Sequence, residues 1–284
     1  MRNEVVLSVT DLTTSLAVGS ATRQIVKGVS FQIKAGETLM LLGESGSGKT
    51  VTAMSILQLL GSRAQFTGSV QLGDTEMLGA SDRTLQQIRG SRVALVPQDP
   101  TGALDPLMHV GAQIAEVLRV HRVERDRRKA ARRAIELLDS VGIPDSARVA
   151  RRYPHELSGG MRQRVAIAIG VSCSPSLLIA DEPTSALDVT VQAQILNLID
   201  ELKERTGTAV LMVTHDVGVA YDRGDAIAVM NAGQIVETGA VREVLENPKH
   251  PYTAALLRAQ PRPGVPRGHL PVIDRTALAA KEAS

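Results

Sequence analysis

Cysteine is nearly absent from this 284-residue chain. Cys173 stands alone, so neither an internal disulfide nor a cysteine-rich metal site can form, which fits a reducing compartment. Aromatic residues are scarce as well: two phenylalanines, three tyrosines and no tryptophan leave no platform on which single-stranded bases could stack. A formal net charge of +2 is too small to mark a nucleic-acid binder, and the locally basic run from Arg119 to Arg133 is read as the coat of a helix. Long apolar runs are missing too. Those near Val93, Leu177 and Val210 fall far short of the ~20 residues needed to cross a bilayer. The opening MRNEVVLSVTDL has neither the basic start nor the apolar stretch of a secretory signal, so the expectation is a chain that is not exported.

What is present is an alternation of short strands and helices. VVLSV, VSFQI and TLMLLG read as strands, and the glycine-rich stretch after the third opens a helix-period segment, TVTAMSILQLL. From about Pro97 to Gly160 the character changes. Ile114, Val117 and Leu118 recur at helical spacing, and a charged helix around Ala130 to Leu138 ends near Gly142 and Pro144, so an inserted helical lobe is expected. After Met161, the near-continuous apolar segments SLLIAD, TAVLMVTH and AIAVM read as strands buried on both faces of a mostly parallel sheet. Beyond Asn247 the chain is rich in proline and arginine, and from about Pro261 it lacks the periodicity of a core.

Two segments carry chemistry. Gly43-Glu44-Ser45-Gly46-Ser47-Gly48-Lys49-Thr50 follows a strand and opens a helix, the context in which a GxxxxGK[ST] match indicates phosphate binding. Glycines 43, 46 and 48 let backbone N–H groups approach phosphate oxygens, and the helix N-terminus adds a favourable field. Lys49 is placed to neutralise the β and γ phosphates of ATP, and Thr50 to offer a hydroxyl to Mg²⁺. In SLLIADEP, Asp181 closes an apolar strand and Glu182 follows. Alternation along a strand would separate their directions, leaving Asp181 to hold Mg²⁺ and Glu182 to act as general base toward water.

With these motifs quoted, the chain resembles the ATP-binding-cassette ATPases over roughly Leu7 to Gly239, because further motifs follow in order. Gln98 in VPQDP resembles the Q-loop, and Leu157-Ser158-Gly159-Gly160-Met161-Arg162-Gln163 the signature. Ser185-Ala186-Leu187-Asp188 resembles the D-loop, and His215 the switch histidine. The resemblance implies an α/β P-loop fold with a RecA-like core, an N-terminal antiparallel β-subdomain and a helical subdomain inserted at about 97–160. It places the ATPase domain at 1–245 and an extension at 246–284. It also implies that Gln98 senses the γ phosphate and Mg²⁺, and that residues around Thr101 to Gln113 touch a partner. Ser158, Gly159 and Gly160 would bind the γ phosphate held by another subunit, Asp188 would act across that dimer, and His215 would help hold the attacking water. Such ATPases commonly stack adenine on an early aromatic. Leu16 occupies that position here, so apolar contact from Leu16, or from Ile25 or Val26, is expected to hold the base with reduced selectivity.

Met161 in place of a glutamine, and the segment Asn247-Pro248-Lys249-His250-Pro251-Tyr252-Thr253, resemble the oligopeptide, dipeptide and nickel branch of bacterial importers. That branch implies a second ATPase subunit, two membrane permeases, an extracytoplasmic solute-binding protein, and a peripheral place on the cytoplasmic face of the inner membrane. A nickel or metal-chelate importer is the alternative cargo. The cysteine-rich tail of many members, which holds an iron–sulfur cluster, has no counterpart here. A soluble relative working on nucleic acid or ribosomes is the rival of another class; the chain has neither long heptads nor a second cassette to support it.

Overall fold

The computed structural model describes residues 4–19, 21–62, 64–185 and 187–259, the side chain of Val18 excepted. The sequence expectation of a loosely ordered tail from Pro261 falls outside these residues. The strands are β1 (Val5–Val18), β2 (Ala21–Lys34), β3 (Thr38–Leu42), β4 (Ala64–Leu72), β5 (Thr75–Glu76), β6 (Val93–Val96), β7 (Leu177–Asp181), β8 (Ala209–Thr214), β9 (Ala226–Asn231) and β10 (Gln234–Ala240). The helices are α1 (Lys49–Ile56), α2 (Asp82–Ile88), α3 (Pro100–Ala103), α4 (Val110–Val120), α5 (Arg127–Ser140), α6 (Ser146–Val149), α7 (Gly159–Val171), α8 (Val189–Thr206), α9 (Val217–Arg223), α10 (Val241–Glu246) and α11 (Pro251–Arg258). The fold is mixed α/β. Among the described residues its elements fall into two units, one within residues 4–6, 34–36 and 79–211, the other within 7–33, 37–78 and 212–259.

In the second unit, β2, β1, β4 and β5 lie in that order in one sheet. β1 and β4 are antiparallel from Leu7 opposite Leu72 to Leu16 opposite Ala64. Along β2, Val29, Phe31 and Ile33 are buried and alternate with exposed Ser30, Gln32 and Lys34, the period-two pattern of a sheet with one face on a core. β3 is different, because all five of its residues are buried. It runs parallel to β9, with Leu39 opposite Ala226 and Leu42 opposite Val229. β9 turns back into antiparallel β10 through Ala232 and Gly233, whose φ angles of 45° and 90° match the two-residue turn that suits the right-handed twist of paired strands. Helix α1 stops sooner than the apolar periodicity through Leu60 suggests. Gln58 adopts φ 49° and the N–H of Leu59 reaches back to the carbonyl of Met54 at 2.9 Å, a helix-terminating turn that satisfies an end carbonyl.

In the first unit, β6 and β7 are parallel, with Val93 opposite Leu177 and Val96 opposite Ala180. Helices α3 to α6 fill the stretch between β6 and α7, as the change in sequence character from Pro97 suggests. Val110, Ile114 and Leu118 on α4 are buried, as are Ala130, Ala134, Leu137 and Leu138 on α5. This is the spacing of an apolar stripe on one helix face. The basic run coats the other face of α5, where Arg132 and Arg133 are exposed and meet Glu136. Pairs so exposed contribute about 0–1 kcal/mol. Burial pushes the Cys173 thiol above its ordinary value, so at neutral pH it is a packing group with little thiolate character.

Gly233 is where backbone meets backbone most closely in the second unit. A Cβ added there would lie 2.2 Å from the carbonyl oxygen of Ile25, and its φ of 90° is one that side chains disfavour. Gly233→Ala is therefore expected to cost about 2 kcal/mol or more, which for a chain of this size lowers the thermal midpoint by roughly 4 °C or more. Differential scanning calorimetry checks this.

Candidate nucleotide site

The glycine-rich loop leaves the C-terminal end of β3, where ligands of α/β sheets collect. Its first glycine is dictated by packing: a Cβ on Gly43 would sit 2.3 Å from the carbonyl oxygen of Met230 in β9. Gly48, at φ 109°, caps the start of α1, and a Cβ there would be 2.9 Å from the Met230 side chain. Gly46, at φ 80°, faces open space. The loop is thus pressed against β9 at its two ends and bare at its middle. The turn between β9 and β10 supports it, since the N–H of Gly233 donates to the carbonyl of Ser47 at 2.9 Å.

Lys49 is only 5% exposed, and its ammonium donates to the carbonyls of Gly43 at 2.8 Å and Glu44 at 2.9 Å. A buried cation is costly unless it is hydrogen-bonded and paired. Two carbonyls hold this one in a fixed position over the loop. The buried Ser47 hydroxyl has no hydrogen-bond partner among the described residues. Ser45 and Thr50 are exposed, Glu44 half-buried. These features suit an anionic oxygen ligand over the bare middle of the loop. In the same unit, His215 is exposed just past the end of β8. Leu16 is half-buried near the end of β1. Ile25 is half-buried and its carbonyl lies 3.4 Å from where a Gly48 Cβ would be, whereas Val26 is fully buried in the core and so cannot meet a base.

In the first unit, the register of β6 and β7 explains a pairing that spacing could not show. Val96 lies opposite Ala180, so Gln98 and Glu182 each follow two residues beyond a matched pair. The Gln98 amide donates to the Glu182 carboxylate at 2.9 Å. Asp181, the last residue of β7, is buried. Glu182 already lies outside the strand with φ 45°, an uncommon conformation for a residue with a side chain and one that collects at functional sites. The strand ends at Asp181 and the chain turns at Glu182, so the alternation of strand residues that the sequence suggests does not extend to Glu182.

The other motifs of this unit also cluster. Ser158 caps α7 by accepting the N–H of Met161 at 3.3 Å, and Asp188 caps α8 by accepting that of Val191 at 2.9 Å. A Cβ on Gly160 would be 2.7 Å from the Val191 side chain, and one on Gly159 would be 3.9 Å from that of Leu187. The signature and the D-loop are thus neighbours, with two helix N-termini close together. Val191 had no signal in the sequence. Gln113 differs from its expected role as a surface contact. It is buried, and its amide bonds to the N–H and carbonyl of Asp105 and the carbonyl of Met108, leaving Leu107 84% exposed on the loop that it closes.

Comparisons with known proteins establish the family. The family model for the ABC transporter matches residues 26–185, and one for the oligopeptide/dipeptide transporter, C-terminal region, matches residues 236–284. The chain belongs to the ABC transporter family; it is an ATP-binding cassette that hydrolyses ATP. A protein of Brucella melitensis provisionally named a peptide import ATP-binding protein is 48% identical over 271 residues, 93% of this chain and 80% of that protein. The oligopeptide transport ATP-binding protein OppD of Lactococcus lactis subsp. cremoris is 44% identical over 262 residues, 92% and 77% of the respective chains. Among solved structures, the ATP-binding cassette MJ0796 in a dimeric post-hydrolysis state with ADP and Pi superposes with a TM-score of 0.74 at 30% identity, over 83% of this chain and 99% of that one.

A charge-assisted hydrogen bond from an ammonium to a phosphate contributes about 1.5–3 kcal/mol. Lys49→Ala is expected to weaken ATP binding by roughly 10- to 100-fold at unchanged fold, as read by calorimetric titration.

Proposed function

We propose that this chain energises the import of peptides, or of closely related small solutes, by hydrolysing ATP beneath partner permeases. The observation that carries the cargo class is the match of residues 236–284 to the C-terminal region of oligopeptide/dipeptide transporters. The naming of relatives such as the Lactococcus protein for oligopeptide transport agrees with it.

In this reading, Gly43, Glu44, Ser45, Gly46, Ser47, Gly48 and Lys49 hold the phosphates of ATP, and Leu16 with Ile25 covers the base. Thr50, Asp181 and Gln98 supply the hydroxyl, carboxylate and amide oxygens that suit Mg²⁺, a hard cation that usually takes one or two carboxylates and keeps water. Bound Mg²⁺ would neutralise charge building on the phosphates. Glu182 accepts a proton from the attacking water, and His215 holds the water and the γ phosphate in line. To do so, Glu182 gives up the amide of Gln98, and that exchange links the nucleotide to the helical segment that follows Gln98.

Ser158, Gly159 and Gly160 serve the ATP of a second cassette, and Asp188, at the start of the adjacent helix, couples the two. The second cassette is a related ATPase subunit, and the pair sits on two permeases that receive solute from an extracytoplasmic binding protein. No helix among the described residues is long and apolar enough to cross a membrane. In this reading the chain is held at the cytoplasmic face by contact with the permeases. Leu107 is the apolar residue best presented for that contact.

Glu182→Gln is expected to retain ATP while turnover falls about 100-fold or more, within the range for loss of a general base. The test is to purify tagged Glu182→Gln chain from native membranes with ATP and Mg²⁺, and to identify copurifying proteins and solutes by mass spectrometry. Two permeases, a second cassette and peptides are expected. Recovery of ribosomes or DNA-bound proteins would refute the transport assignment. Leu107→Glu should reduce recovery of the permeases and leave ATP affinity unchanged.

A further inference from the structure

Tyr252 is not surface decoration. Although the sequence of this segment carries no catalytic group, Tyr252 on α11 is 2% exposed and is among the largest fully buried side chains of the chain. A buried phenol keeps its hydroxyl only where a polar partner exists. Here the N–H of Glu44, the second residue of the glycine-rich loop, donates to that hydroxyl at 3.4 Å, at the long end of the hydrogen-bond range. The carbonyl of the same Glu44 accepts the Lys49 ammonium. One residue of the loop therefore joins Tyr252 to Lys49.

The start of α11 is fixed in turn by β10. Glu237 accepts the N–H of Lys249 at 2.8 Å through one carboxylate oxygen and that of His250 at 3.1 Å through the other. Partial burial alone would raise the pKa of Glu237, but the nearby Thr253 hydroxyl and those two N–H groups hold it below the ordinary value. His250 caps the helix by accepting the N–H of Tyr252 at 3.1 Å, and Pro251 sits in the first turn, where its missing donor costs nothing. β10 also begins at the turn whose Gly233 N–H supports Ser47. The strand thus braces the loop at two points: at Ser47 through its turn, and at Glu44 through Glu237 and the helix that Glu237 anchors.

We propose that the C-terminal extension is a working part of the nucleotide site, in which Tyr252 is a positioning residue that holds the Glu44 peptide, and with it the Lys49 ammonium, in the form that binds phosphate. The proposal rests on reading 43–50 as the phosphate loop. It makes the extension more than a mark of lineage: loosening α11 lowers affinity for ATP without unfolding the chain.

The test uses the full chain and titration with a non-hydrolysable ATP analogue, together with nucleotide-free melting and steady-state turnover in the assembled transporter. Tyr252→Phe keeps the ring and removes only the hydroxyl. It is expected to weaken nucleotide affinity and raise KM for ATP by about 2- to 10-fold, the range of one neutral hydrogen bond, with kcat and the nucleotide-free midpoint little changed. Glu237→Ala should act in the same direction, and the double variant should lose less than the product of the two single losses. Leu256→Ala, which opens the buried face of α11 without touching its polar contacts, calibrates mere destabilisation. Wild-type affinity in Tyr252→Phe overturns the proposal. So does an affinity loss matched, for the same fall in midpoint, by Leu256→Ala. If Lys49→Ala also binds the analogue like the wild type, the phosphate-loop reading itself fails, which separates that failure from one confined to Tyr252.

Discussion

Close approach of backbone to backbone around the glycine-rich loop is the constraint on which the rest depends. The loop is held less by its own sequence than by what lies against it: the carbonyl of Met230 where Gly43 has no side chain, and the Gly233 N–H under Ser47. Gly233 is itself fixed by the carbonyl of Ile25 and by the N–H of Lys27, which donates to the Gly233 carbonyl at 2.8 Å. Each contact has room for hydrogen and none for a methyl group. Interiors packed to this density transmit displacement, so the loop's shape is set jointly by β2, β9 and the turn into β10. The fixed cation of Lys49 follows from that shape, because its two carbonyl partners belong to the same loop.

Much of this architecture was legible in the sequence because its signals are local. The burial of β3, β7 and β8 on both faces shows as unbroken apolar runs, and the stripe on α4 as fourfold spacing. The loop at 43–50 is a contiguous motif whose glycines have a mechanical reason. What could not be read depends on register or on distant chain. The Gln98–Glu182 bond requires knowing that Val96 pairs with Ala180. The role of Gly233 requires knowing that a turn far along the chain meets Ile25. Gln113 looks like any polar residue on a helix until its loop closes over it. The end of α1 at Ile56 was also hidden, since Leu57, Leu59 and Leu60 continue an apolar periodicity that a left-handed Gln58 interrupts.

The signature segment illustrates a different limit. Ser158 and Asp188 each satisfy an orphan N–H at the start of their own helix, a role that any serine or aspartate at that position performs. Capping alone would not require glycine at 160. The 2.7 Å separation between its absent Cβ and the side chain of Val191 does, because a methyl there would push α7 away from α8. Two helix N-termini kept this near each other concentrate positive field in one small region. That field is unfavourable for the isolated chain and favourable once an anion is supplied, which is the condition a dimer around ATP would meet.

The link between chemistry and movement can be followed within the first unit. Glu182 is tied to Gln98, and the next residue, Asp99, caps α3 by accepting the N–H of Thr101 at 2.8 Å. Hydrogen bonds from the Thr101 N–H and hydroxyl hold the Asp99 carboxyl below its ordinary pKa, with smaller help from Gly102 and from the charge of Arg162 on α7. Gln98 cannot shift far without carrying Asp99, and Asp99 cannot shift without disturbing the first turn of α3 and the field at Arg162. A net hydrogen bond to a charged group is worth about 1.5–3 kcal/mol, small beside the interactions that a nucleotide triphosphate and its cation would offer the same carboxylate and amide. The tie is therefore strong enough to define a resting arrangement and weak enough to be exchanged. An exchange at Glu182 would bear, through the one residue adjacent to Gln98, on the start of α3.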